Sequence, residues 1–188
     1  MALYNVTVLA SGGGGNLRAI IENENHLKLF RVIKVVTSRS CGALAVASEH
    51  GLESEILNYS NPDNYFKVIP RNSDLIVLAG FMPIVPKNVC DFFLGKIINT
   101  HPSLLPKYGG RGMYGVKVHE AVLAAKEKVT GCTVHFVTEG VDEGPVIIQE
   151  SLEIPDGVDA WTLGGLVFNL ETRVLPKAIS LLAEGNVS

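Results

Sequence analysis

Asn99 and His101 stand two residues apart in the run Asn99-Thr100-His101-Pro102-Ser103-Leu104-Leu105-Pro106, which follows the apolar pair Ile97-Ile98. In extended chain that spacing places both side chains on one side, with Thr100 opposite. Pro102 disfavours helical geometry at His101, so the extended form should run through it. The pair offers an amide donor suited to a developing oxyanion beside an imidazole that moves protons near pH 7. A carboxylate follows downstream. Asp142 lies in the turn-rich run Thr138-Glu139-Gly140-Val141-Asp142-Glu143-Gly144-Pro145. Beside His101 it would orient the ring and raise its pKa. Asp, Glu and Gly are also ordinary turn residues, and a solvated hairpin turn is the other reading of this run.

A second feature is the run Ser11-Gly12-Gly13-Gly14-Gly15-Asn16, between an apolar strand and a helix-like stretch. Glycines let the backbone approach an anion closely, and the start of a helix supplies free N–H donors. Ser11 or Asn16 is expected to help cap that helix. The pattern favours a phosphate over a tight turn without a ligand. It is not a Walker loop, since no Gly-Lys-Ser/Thr follows. The Rossmann spacing is also incomplete: position 17 is Leu17, and Thr37-Ser38-Arg39 stands where an acidic residue would close the second strand.

The other histidines carry less. His135 lies within a predicted strand and reads as a hydrogen-bonded core residue. His119 begins a helix, and His26 and His50 read as surface or helix-end residues. None has metal-site spacing, so no metal is expected. Cys90 and Cys132 lack a local basic partner and are not read as nucleophiles.

These residues need a frame to hold them. Strands are predicted at Val6–Ala10, Arg31–Thr37, Glu53–Leu57, Asp74–Ala79 and Lys96–Thr100. Helices are predicted at Asn16–Asn25, Gly42–Gly51, Pro86–Phe93 and Val116–Lys128, the last ended by Thr130 or Gly131. Alternation of this kind implies an open α/β fold, Rossmann-like, with a mostly parallel sheet covered by helices on both faces. Cys132–Thr138 and Val146–Leu152 have only a loop between them and should pair antiparallel, giving a mixed C-terminal edge. Trp161–Leu182 is a long amphipathic helix with a bend expected at Pro176. Ligands in open α/β sheets bind at the carboxyl ends of the strands, which is where His101 and the glycine loop fall.

Composition sets outer bounds. The 188 residues are 47% hydrophobic and 19% charged, with a net charge of −3, which suits one folded domain over 1–188 and excludes a disordered chain. The charge argues against non-specific nucleic-acid or anionic-membrane binding. No apolar run is long enough to span a bilayer. Met1–Ala10 lacks a basic segment and reads as a strand, not a signal peptide. Three scattered cysteines suit a reducing, cytoplasmic setting. A monomer and a homodimer are both open.

Together the motifs resemble the phosphoribosylglycinamide formyltransferases, within the formyl-folate transferase group, over nearly the whole chain. The matching stretches are Val8-Leu9-Ala10-Ser11-Gly12-Gly13-Gly14-Gly15-Asn16-Leu17, Leu78-Ala79-Gly80-Phe81-Met82-Pro83-Ile84, and Ile98 through Tyr108. Thr133-Val134-His135-Phe136-Val137 and Val141 through Gln149 complete them. The resemblance implies formyl transfer from 10-formyltetrahydrofolate, a co-substrate, to the amine of 5-phosphoribosylglycinamide in purine synthesis. It implies Asn99, His101 and Asp142 as the catalytic trio. It implies Gly14, Gly15 and Asn16 at the substrate's phosphate, and Glu171 at its amino end. It also implies Met82, Pro83, Ile84 and Val85, with Asn99, at the folate. An arginine that the family uses for the folate's glutamate tail has Arg71 as its candidate here. The segment Gly109–Gly115 is longer and richer in glycine than in many relatives. Two other readings compete: a formyl-folate hydrolase or methionyl-tRNA formyltransferase-like enzyme, and a non-catalytic nucleotide-binding module.

Overall fold

A computed structural model of the chain describes residues 3–186, so Met1 and Ala2, the first residues of the Met1–Ala10 segment read as a strand and not a signal peptide, lie outside the described residues. In chain order the elements are β1 (Tyr4–Ala10), α1 (Gly15–Leu27), β2 (Phe30–Thr37), α2 (Gly42–Glu49), β3 (Ser54–Ile56), α3 (Asp63–Val68) and β4 (Leu75–Leu78). There follow α4 (Lys87–Phe92), β5 (Ile97–His101), α5 (Val116–Ala124), β6 (Val129–Phe136), β7 (Val146–Glu153) and α6 (Ala160–Ala183).

The strands form one seven-stranded sheet in the order β3-β2-β1-β4-β5-β6-β7. The first five in that order are parallel; β6 runs antiparallel to β5, and β7 to β6. Period-two alternation sorts the core onto two faces. Val6, Val8, Leu75, Val77 and Ile98 join Leu17 and Ile20 of α1, Ala43 and Val46 of α2 and Leu163, Val167 and Val174 of α6. Leu9, Ile76, Leu78 and Ile97 join Tyr65 of α3 and Val89 of α4 on the other face. The chain leaves β1 on one side for β2 and β3 and returns on the other for β4. The sheet order therefore reverses between β1 and β4, and the loops after these strands flank a crevice.

Several boundaries differ from expectation. The helix predicted over Val116–Lys128 stops at Ala124. Lys126 takes a left-handed conformation (φ 56°), its N–H donates to the Leu123 carbonyl at 2.9 Å, and the Glu127 N–H donates to the Val122 carbonyl at 3.3 Å. That is a Schellman stop with lysine where glycine is usual. The following strand then begins at Val129 and includes Gly131. Neither Ser11 nor Asn16 caps α1: Gly14 occupies the cap position at φ 86°, with no side-chain cap. The short α3 has no counterpart in the sequence reading. Helix α6 runs through Pro176 as one element, and the Asp159 carboxylate caps it by accepting from the Thr162 N–H at 2.7 Å.

Candidate active site

A cavity of about 640 Å³ opens at the carboxyl ends of β4 and β5. Asn99, Thr100, His101 and Asp142 line it, together with Asn16, Glu171, the Gly80–Val85 loop and the Gly110–Gly115 loop. Strand β5 positions the first three. Thr100 points toward α6, where its hydroxyl donates to Glu171 Oε1 at 2.9 Å. Asn99 points to β6, whose register sets it opposite His135, with Asn99 Nδ2 3.2 Å from His135 Nε2.

Asp142 joins these groups. Its Oδ2 lies 3.4 Å from His101 Nδ1 and its Oδ1 lies 3.6 Å from His135 Nε2. Oδ2 also accepts from the Gly110 N–H at 3.0 Å. The residue sits in the left-handed region (φ 59°), which Asp tolerates better than most side chains. Burial pushes the carboxyl up, but His135, His101 and the Gly110 N–H outweigh it and hold the pKa below the usual range. The expected meeting of Asp142 with His101 is therefore present.

The expected rise in the His101 pKa is not. The ring is buried, and burial drives its pKa down, with the nearby His135 adding to the fall. Asp142 and the Tyr108 carbonyl, 2.8 Å from Nε2, pull the other way and do not prevail. Nε2 donates its proton to that carbonyl, which leaves Nδ1, beside Asp142, as the nitrogen that gains or loses a proton. His135 is buried as expected, but it belongs to the site as well. Its Nδ1–H donates to the Phe136 carbonyl at 2.8 Å, and its Nε2 faces Asn99 and Asp142. Only the β5–β6 register, an antiparallel pairing between segments distant in sequence, reveals this.

Glu171 is the most perturbed acid. Burial pushes it up to about 7, against the opposing pull of the Thr100 hydroxyl and the Asn16 side chain. Asn16 lines the cavity, whereas Gly14 and Gly15 do not. Those two glycines answer packing demands: a Cβ at Gly14 would stand 2.9 Å from the Ala43 Cα, and one at Gly15 would strike the Phe168 ring. Gly12 and Gly13 are the open positions. In the Gly80–Val85 loop, Phe81 and Val85 are buried while Met82 and Ile84 are exposed on the cavity rim, 52% and 57%. The Met82 N–H donates to Ser11 Oγ at 2.9 Å, which ties this loop to the end of β1.

Arg71 lies away from the cavity. It precedes β4, in a turn joined to the start of β1 by Asn5 Nδ2 donating to the Asn72 carbonyl at 3.0 Å, at the amino end of the sheet. It is not among the residues that line the cavity. Cys90 and Cys132 are buried, and burial raises both thiols, Cys132 to about 12, which leaves them unreactive. Among the described residues, no group of three or more His, Cys, Asp or Glu side chains is arranged to hold a metal ion, and no helix is long and apolar enough to cross a membrane.

Comparison with known proteins bears on this arrangement. The family model described as formyl transferase matches residues 4–179. The trifunctional purine biosynthetic protein adenosine-3 of Gallus gallus is 37% identical over 97% of this chain, which spans 19% of that protein's length. Two crystal structures of phosphoribosylglycinamide formyltransferases superpose closely. That from Anaplasma phagocytophilum has a TM-score of 0.90 and 29% identity, covering 98% of this chain and 89% of its own. That from Brucella melitensis has a TM-score of 0.88 and 31% identity, covering 97% and 96%.

Proposed function

Because the chain belongs to the formyl transferase family, we propose that it transfers the formyl group of 10-formyltetrahydrofolate to the amine of 5-phosphoribosylglycinamide, on a single domain. The observation that carries this reading is the convergence of Asn99, His101 and Asp142 in one cavity that Asn16 and Glu171 also line. The apolar Gly80–Val85 loop suits a flat heteroaromatic co-substrate. Glu171 suits the amine or glycinamide end of the acceptor, and Asn16 its ribose. Three free cysteines support a reducing, cytoplasmic setting.

The chemistry follows from the groups present. The amine nitrogen attacks the formyl carbon, and charge grows on the formyl oxygen. The Asn99 amide donates to that oxygen. The lowered pKa of His101 makes the resting ring neutral, so Nδ1 is the base that takes a proton from the incoming amine. Asp142 stabilises the imidazolium so formed, which in turn donates toward the oxyanion. Collapse breaks the bond between the formyl carbon and N10 of the folate, and N10 takes the proton. The net change is an amine N–H exchanged for an N10–H.

The test is an assay of purified protein with both substrates, following tetrahydrofolate release and formylated product. Folate release at an equal rate without the amine would favour the hydrolase reading. Absence of turnover under either condition would favour the non-catalytic module.

A further inference from the structure

The glycine loop has a cationic neighbour that the chemistry above leaves unused. The segment after β2 packs against it: the Ser38 N–H donates to the Ala10 carbonyl and the Ala43 N–H to the Gly12 carbonyl, both at 3.1 Å. Arg39 belongs to this segment. Its Nε–H donates to the Ser11 carbonyl at 3.0 Å, while Ser38 Oγ lies 2.6 Å from Ser11 Oγ. The terminal nitrogens of Arg39 make no hydrogen bond and no ion pair among the described residues. Arg18, on α1, is by contrast paired with Glu49 at 2.7 Å. A guanidinium anchored through Nε with its fork free is arranged for bidentate contact with a phosphate.

Two further observations point to a ligand here. Asn16 Oδ1 is buried without a hydrogen-bond partner, and it can accept from a ribose hydroxyl. The first intrahelical bond of α1 is Arg18 N–H to the Gly14 carbonyl, so the preceding N–H groups are free for an anion. The helix end supplies only a partial charge, whereas a phosphate ester carries nearly two. We propose that Arg39 receives the phosphate of the ribonucleotide substrate at the open edge of the glycine loop and thereby distinguishes it from the unphosphorylated amine. This rests on the formyl-transfer reading.

The experiment compares wild type with Arg39→Met and Arg39→Lys, using phosphoribosylglycinamide and the same amine lacking its phosphate. Arg39→Met should raise KM for the phosphorylated substrate about 10- to 100-fold, the loss of a charge-assisted contact. It should leave kcat and the KM for 10-formyltetrahydrofolate unchanged. With the unphosphorylated amine, all three proteins should perform alike. Arg39→Lys should fall between, because it keeps the charge without the fork or the Nε anchor. A wild-type KM in Arg39→Met, or the same loss with both amines, overturns the proposal. Calorimetric titration with ribose 5-phosphate provides a readout independent of turnover. Binding to wild type that weakens in Arg39→Met supports the assignment even if the acceptor amine proves to be another. Undiminished binding, or none to wild type, overturns it.

Discussion

Glu171→Gln isolates the consequence of placing a carboxylate under α6. Burial raises its pKa from 4.5 to about 7. An acid whose folded pKa lies above its unfolded value binds its proton more tightly when folded. The stability that protonated Glu171 contributes is therefore fully present below pH 4.5, declines as pH rises from 4.5 to 7, and is lost above that. At about 1.4 kcal/mol per pH unit, the shift corresponds to about 3 kcal/mol. Glutamine keeps an acceptor for the Thr100 hydroxyl, which sits 2.9 Å away, and has no proton to lose. The two proteins should converge toward pH 4.5. At pH 8 the variant should be more stable by about 3 kcal/mol, a Tm gain of roughly 6–12 °C for a chain of this size. Urea and thermal unfolding of both proteins between pH 5 and 8.5 measure this directly. Parallel pH dependences would refute the reasoning, since the ionised Glu171 would then carry no net penalty.

Other expectations follow from the same geometry. His101→Ala and Asp142→Asn should each lower kcat on the order of 10²–10³ with little change in substrate affinity, measured by steady-state kinetics on folded protein. In Asp142→Asn the His101 pKa loses an upward pull, so the limb of the pH profile that reports His101 should move to lower pH; an unmoved limb would separate the two residues. Gly14→Val should lower stability by 2 kcal/mol or more, in the approximate range of backbone strain and overpacking, because φ is 86° and the new Cβ meets the Ala43 backbone. Denaturation reads that out, and wild-type stability would refute it. Gly13→Ala, with open space at its Cβ, should keep the fold and raise KM for the phosphoribosyl substrate alone.

Much of the frame was legible in the sequence because it rests on local signals. The short apolar run Val6–Ala10 and the continuous run Leu75–Leu78 mark buried strands, and four glycines after the first mark a close backbone approach. The antiparallel edge was legible from the short connection between its strands. The α5 stop was not, because Lys126 adopts a conformation that its side chain does not advertise. Helix α3 has only six residues, too few for a period to emerge. The pairing of Asn99 with His101 was visible from their two-residue spacing, whereas Asp142 was only a candidate in a turn-rich run until the family resemblance joined it to them. The place of His135 was not visible, because it depends on the pairing of β5 with β6. The place of Arg71 before β4 was hidden for a related reason: nearness in sequence to a site strand does not tell which end of the sheet a residue occupies.

The bridge that Asp142 makes between two buried imidazoles also limits how the site counts protons. One carboxylate faces His101 with one oxygen and His135 with the other. Its single negative charge can neutralise one imidazolium, and the proximity of His135 already depresses His101. That one charge is shared by two rings packed against the same carboxylate. The carboxylate and the two rings therefore form one electrostatic unit, in which a change at one member is felt by the others. A substitution at His135, which need touch neither substrate, should consequently reset the acid–base behaviour of His101.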